Sequence, residues 1–298
     1  MNTAESKSRI HPREITVANV KIVTDTNAYF PHPELIAQLG IEVLPLTVRV
    51  GQQSYLERVN QLDDIFFRKQ AQDPKSLTVE APSAAYVHGL FRRLSQGADK
   101  ILCIHMSSAL NEVAEVTRRV ADSFAGRQRI VVVDTATTSV GLGLIVEAAA
   151  QAAAAGAPIP EILRVVRGMM PRMYALFFSD SLEYLDAWGR LGPAQALLGA
   201  MLGLKPLSTM EDGDLLPIEK VRTYSRAVDE LYDFIVEFSH IEQMYLLQQD
   251  FEVEAAQLLE RLELIYPQRE FPVISYSPSL AVHIGPKAMG VIVYEGVR

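Results

Sequence analysis

The chain has 298 residues, with 28 Lys+Arg against 36 Asp+Glu and a formal net charge of −8. That acidic surplus argues against broad, sequence-independent binding to nucleic acid or anionic lipid, which needs a basic surface. Hydrophobic residues make up 49% and charged residues 21%, the balance of a globular protein, and the single cysteine, Cys103, excludes a disulfide framework or a thiolate metal cluster within one chain. Residues 1–14 are polar, lack the apolar core of a signal peptide and read as a flexible arm. Residues 20–23 are a short β-branched run ending in Thr24-Asp25-Thr26. Residues 32–39 have helical character and stop at Gly40, residues 41–50 (IEVLPLTVRV) read as a strand, and residues 63–72 as a helix.

Three segments then repeat one pattern. Residues 77–81 are short and extended, Pro82-Ser83 signals a helix start, and 84–94 are helical. Residues 101–104 are a buried-type strand, Ser107-Ser108 follows, and 110–125 are helical. Residues 129–133 (RIVVV) are a strand, 134–139 a polar loop, and 140–155 a helix. Strand, polar turn and helix in repetition imply a parallel α/β sheet, whose ligands sit at the carboxyl ends of the strands. From about Met170 the texture changes. Residues 173–178, 244–248, 272–276 and 290–294 read as strands. Residues 181–185 start a short helix, 194–202 are apolar and rich in small residues, and 222–238 and 253–265 are amphipathic helices. Glu211-Asp212-Gly213-Asp214 is a hairpin turn signal. The expected architecture is a parallel-sheet α/β/α domain over residues 15–168 and an α+β domain with a mainly antiparallel sheet over 169–298. The weakly polar run 140–157 carries Glu147 and Gln151 and falls short of a membrane span, so we expect a soluble, cytoplasmic protein with at most peripheral membrane contact.

The familiar phosphate-loop, nucleophile-elbow and zinc-protease motifs are absent. Gly141-x-Gly143 after a strand hints at a dinucleotide loop, but Val146 occupies the third glycine position, and helix–strand packing is the better reading. Asp25-Thr26 follows the first strand as nucleophilic aspartates do in some phosphatases; Asn27 stands where the second aspartate would be. None of the six histidines forms a ligand pair at i, i+4, so no metal or other cofactor is expected. Ser107-Ser108 between strand and helix either caps the helix or presents hydroxyls, beside free N–H groups, to an anion. Thr78 and Ser83 carry the same ambiguity. His283 sits just after a strand, and Arg190 and Arg222 read as salt-bridge partners.

Read together, these segments resemble the DegV family of fatty-acid-binding proteins over nearly everything after the arm. Residues 20–31 (VKIVTDTNAYFP) are similar to the family's opening strand and Asp-Ser/Thr turn, 39–48 (LGIEVLPLTV) to its second strand, 78–83 (TVEAPS) to a Thr-Ser-Gln-Pro-Ser segment, and 104–110 (IHMSSAL) to Ser-Ser-Gly-Leu. Residues 131–143 (VVVDTATTSVGLG), 181–192 (SLEYLDAWGRLG), 204–214 (LKPLSTMEDGD), 220–223 (KVRT) and 283–290 (HIGPKAMG) follow in the family's order. The resemblance implies a non-catalytic protein with one long-chain fatty acid held in a cleft between two domains, presented to a fatty acid kinase that makes an acyl-phosphate. It also implies that Thr78, Ser107 and Ser108 hydrogen-bond the carboxylate, that His283 lies beside it, and that Arg190 and Arg222 are positive groups near the cleft mouth. The chain departs from the pattern at Glu80, at Asn111, at Trp188 (where Gly-Gly-Arg-Ile becomes Trp188-Gly189-Arg190-Leu191), and around His283, where Val282 and Ile284 replace two threonines. Two alternatives stand beside this reading. One is an enzyme acting on a small hydroxylated or phosphorylated metabolite through His283 or His105, neither of which has a visible acidic partner in the sequence. The other is a lipid-responsive interaction protein without a kinase.

Overall fold

The computed structural model describes residues 19–297 apart from 62–76, 125, 127–128, 191, 193–198 and 200. The arm, the helix expected at 63–72 and most of the apolar segment 194–202 lie outside the described residues.

Strand β1 (Val20–Asp25), helix α1 (Glu34–Gln38) and β2 (Glu42–Leu44) open the chain, followed by β3 (Thr47–Val50) and β4 (Gln53–Leu56). The expected single strand over 41–50 is two strands in two sheets. Pro45 lacks an N–H for either ladder, so the chain leaves β2 there and enters β3 between the fully buried Leu44 and Leu46. Next come β5 (Leu77–Glu80), α2 (Ala84–Leu94), β6 (Lys100–His105), α3 (Val113–Asp122), β7 (Arg129–Asp134), α4 (Ser139–Ala154) and α5 (Ile159–Met169). β2-β1-β6-β7 form a parallel sheet, and β4-β3-β5 a small antiparallel one. The repeated pattern works because strands such as KILCIH bury almost every side chain, as a sheet covered on both faces must. Ser83 caps α2, accepting from the Tyr86 N–H at 3.2 Å.

The remainder holds β8 (Met173–Ser179), α6 (Glu183–Ala187), β9 (Lys205–Glu211), β10 (Asp214–Val221), α7 (Tyr224–Val236), β11 (Ile241–Gln248), α8 (Glu252–Glu263), β12 (Val273–Ile274), α9 (Pro278–Ile284) and β13 (Ala288–Glu295). The sheet order is β10-β9-β8-β13-β11-β12, antiparallel except for the last pair. Strand alternation sends Leu176, Phe178, Val291 and Val293 into one core under α7 and α8, and Ala175, Phe177 and Ile292 into the core shared with the parallel sheet. Both faces are therefore buried, which explains why β13 reads AMGVIVYE. α4 packs so closely on the turn after β1 that a Cβ on Gly143 would fall 1.7 Å from the Tyr29 carbonyl oxygen, so that glycine serves packing. Among the described residues no helix is long and apolar enough to cross a membrane.

One expectation is corrected. His283 does not follow a strand; it lies on α9, every residue of which is buried. The extended Ser277 and Pro278 at the first helical position start the helix, and Gly285, at φ +93°, ends it.

Candidate functional site

The carboxyl ends of β1, β6 and β7, the β9–β10 hairpin tip and α9 converge on one seam. Ser107, 1% exposed, donates its hydroxyl to the Gly213 carbonyl oxygen at 2.6 Å, and its N–H to the Thr137 carbonyl at 2.9 Å. Ser108 is exposed and binds Asp134 Oδ2 through both its N–H (3.2 Å) and its hydroxyl. Neither serine caps a helix. α3 starts later than expected, at Val113, whose N–H is taken by Asn111 Oδ1 at 2.9 Å, while Asn111 Nδ2 donates to the Val79 carbonyl. Asn111 outcompetes the serines because it stands two residues before the first free N–H, the spacing an Asx turn needs.

The hairpin tip Asp212-Gly213 turns with φ of +48° and +86°, as a two-residue hairpin loop requires. A Cβ on Gly213 would lie 2.4 Å from Ser107 Oγ, so only glycine lets the tip reach the serine. The next residue, Asp214, accepts from Arg190 Nε at 2.9 Å and Nη2 at 2.7 Å through Oδ1. Arg190 follows α6 by way of Trp188 and Gly189 (φ +70°), and its side chain is 7% exposed. Arg190 Nη1 lies 3.5 Å from His283 Nδ1, and the Trp188 ring packs 4.4 Å from the imidazole, centroid to centroid. His283 is 0% exposed. Burial, reinforced by the Arg190 charge, pushes its pKa down to about 3, although the Leu110 backbone favours the charged form. The ring is therefore neutral at physiological pH. A guanidinium only donates, so Nδ1 holds the lone pair and Nε2 carries the proton. Nε2 makes no normal hydrogen bond to any described residue. The Leu110 backbone interacts with the ring, but no normal hydrogen bond satisfies Nε2, as is true also of His105 Nε2, and an additional acceptor there would be favourable.

His105 is the counter-example. It is also 0% exposed, but its Nδ1 lies 3.0 Å from Asp25 Oδ2. Asp25 also accepts from the Met106 N–H at 3.0 Å and the Asn27 N–H at 3.2 Å. His105 therefore has the acidic partner that the sequence did not reveal. Its Nε2, like that of His283, makes no normal hydrogen bond among the described residues. The Asp25–His105 pair is fully buried under a polar network centred on Asn27, which caps α4 by accepting from the Ser139 N–H at 2.9 Å and donates to Ser279 Oγ at 2.9 Å.

Of the expected site residues, Ser107, Arg190 and His283 are linked through the hairpin tip. Thr78 lies on the exposed side of β5 opposite Arg49, while Val79 packs inward; Arg222 is exposed just past β10. Sequence reasoning missed Glu57, Asn27 and Ser279. The run Asp25-Thr26-Asn27 after a buried strand was a usable signal, whereas Glu57 had none, its partners being 31 and 222 residues away.

A family model described as an uncharacterised protein of the DegV family matches residues 19–296. A DegV domain-containing protein of Streptomyces coelicolor is 32% identical over 285 residues, spanning 92% of this chain and 98% of its own. A Thermus thermophilus DegV family protein, described as fatty acid binding, matches at TM-score 0.77 and 27% identity over 93% of this chain and all of its own. The fold is shared with a fatty acid binding DegV family protein of Streptococcus agalactiae (TM-score 0.83, 21% identity, 94% of this chain, 100% of that one). It is shared too with the Streptococcus pneumoniae fatty acid kinase B3 protein loaded with linoleic acid (TM-score 0.74, 18% identity, 93% and 100%).

Proposed function

The chain belongs to the DegV family, and from that premise we propose that it binds one long-chain fatty acid, with the carboxylate seated against His283 at the seam between the parallel and antiparallel sheets. The observation that carries this reading is the buried Nε2–H of His283, a neutral donor whose ring partner faces Arg190. The relatives described as fatty acid binding support the ligand class. Ser107 lines the corner from the parallel-sheet side, and Arg190, its charge matched by Asp214, holds the imidazole; exposed Thr78, and exposed Ser108 bound to Asp134, are assigned no direct contact in this reading. Burial of about fifteen methylenes at roughly 0.8 kcal/mol each contributes on the order of 12 kcal/mol gross. The headgroup contacts then need only orient the acid. A neutral donor set has a chemical merit: a strong ion pair would make the carboxylate a poorer nucleophile toward a phosphoryl donor.

Native mass spectrometry of the gently purified protein tests the reading. A single acyl adduct, or one acquired on incubation with palmitate or oleate, is the expected result; a chain that stays bare in both conditions overturns it. We further propose that the bound acid is presented to a fatty acid kinase, with exposed Arg222 as a docking charge. The likeness to a kinase-associated protein supports this. With a fatty acid kinase catalytic subunit and ATP, hydroxylamine should trap acyl hydroxamate. Trapping should fail for Arg222→Ala while acid binding is retained. No hydroxamate with the wild-type chain would leave a carrier without a kinase.

A further inference from the structure

Trp188 is the only tryptophan in the chain, and it contacts the proposed headgroup histidine from two directions. Its ring lies 4.4 Å from the His283 ring at a tilt of 43°. Its indole Nε1–H donates to the carbonyl of Val282, the residue just before His283, at 2.8 Å. The indole body is half-buried and its polar edge is satisfied, as a tryptophan at a semi-dry boundary requires. Trp188 caps the C-terminal end of α6 two residues before Arg190, and the Arg190 N–H closes that turn onto the Leu185 carbonyl at 2.8 Å. One short turn therefore delivers both constraints on the imidazole, the indole against its face and the guanidinium at Nδ1. Together they fix its rotamer and its tautomer. The residues flanking His283 are Val282 and Ile284, which offer no hydroxyl to orient the ring, so the tilted indole contact and the Arg190 edge contact, together with the Leu110 backbone, do so.

We propose that Trp188 is the positioning residue for His283: it holds the imidazole so that Nε2–H faces the carboxylate, and its indole forms one wall of the headgroup site. This rests on the fatty-acid reading for the identity of the ligand, but not for the geometry. Without Trp188 the ring swings, the Arg190 contact at 3.5 Å is lost, and Nδ1 and Nε2 share the proton. The wall also makes the chain's own fluorescence a reporter of the acyl headgroup, because a heavy atom on the first methylene would lie near the indole.

The test uses the full chain, Trp188→Phe, which keeps a ring face but drops the indole N–H, and Trp188→Gly. Nitrogen-15 NMR of histidine-labelled protein without added ligand should show His283 as the Nε2–H tautomer in the wild type and in Trp188→Phe, and a tautomer mixture in Trp188→Gly. Palmitate affinity should fall by about tenfold in Trp188→Gly and less than threefold in Trp188→Phe, values typical of one misaligned hydrogen bond to a charged group. In the wild type, 2-bromohexadecanoate should quench Trp188 more strongly than 16-bromohexadecanoate at equal occupancy by native mass spectrometry. An unchanged tautomer and unchanged affinity in a folded Trp188→Gly overturns the positioning role, and equal quenching by the two acids overturns the wall. If Trp188→Gly does not fold, a tautomer mixture in the wild type or in Trp188→Phe overturns the role. If the wild type binds no acid at all, the fatty-acid reading fails, and the tautomer comparison still decides what Trp188 does.

Discussion

The two ends of α9 are built on opposite principles. At its start, the Glu57 carboxyl, 5% exposed, accepts from the Ser279 N–H at 2.7 Å and the Thr26 hydroxyl at 2.8 Å. At its end, the buried His283 has the Leu110 backbone beside its ring, and its Nε2 makes no normal hydrogen bond among the described residues. Burial pushes Glu57 up to about 7, despite the hydrogen bonds from Ser279 and Thr26, and pushes His283 down to about 3. One end is fully matched and fastens the helix to the parallel-sheet side. The other is left incomplete, and incompleteness in a dry site is what a ligand can relieve. A fastened end and an open end thus stand on one seven-residue helix.

The largest expected effect breaks the fastened end. Glu57→Ala strands the Ser279 N–H and the Thr26 hydroxyl in the interior, and should cost on the order of 3 kcal/mol in urea unfolding at pH 6; a loss below about 0.5 kcal/mol would mean the clasp is decorative. At the open end, His283→Ala should weaken palmitate binding by roughly ten- to a hundredfold, the worth of a hydrogen bond to a charged group. His283→Gln places an amide N–H near the Nε2 position and should recover most of it. Equal affinity for wild type and His283→Ala would refute the headgroup assignment.

Acidity sharpens the contrast. Glu57 is raised in the folded state, so its contribution to stability is complete below about pH 4.5 and is lost as pH rises through about 7. His283 is depressed, so its contribution is present above about pH 6.5 and is lost as pH falls toward 3. Between pH 4.5 and 6.5 the two oppose each other. Glu57→Gln should unmask stability that rises with pH, and His283→Gln stability that falls with pH, each with a limiting slope of about 1.4 kcal/mol per pH unit. Urea midpoints from pH 4 to 8 measure this, and parallel profiles in the two variants would contradict it. Ser107→Ala removes one bond to the hairpin tip and should cost about 1 kcal/mol. Smallest of all, Arg222→Ala should leave stability within about 0.5 kcal/mol and palmitate affinity unchanged, since its side chain is exposed.

Several pieces of this site were legible in advance because their signals are local. Ser83 as a cap, the Asp212-Gly213 turn and the polar loops ending β6 and β7 each depend on residues within a few positions. Pro45 was equally local, and its break between β2 and β3 was a readable warning. Ser107-Ser108 misled because a serine pair before a helix satisfies the capping pattern, and only the fold shows that Asp134 and Gly213 engage them first. The α9 helix was missed because it is buried on all sides, which erases the apolar–polar periodicity that marks a surface helix.

By itself the amino-acid order determined the alternation of strands and helices and the change from parallel to antiparallel texture. Those follow from side-chain periodicity and turn preferences acting over a few residues. Tertiary structure alone decided that the Glu57 pKa would be pushed up to about 7, that Asp25 would reach His105 across 80 positions, and that Arg190 would set the proton on His283 across 93. A pKa or a tautomer is a property of the local dielectric and of the nearest partner, and in this chain both are supplied from distant stretches of sequence.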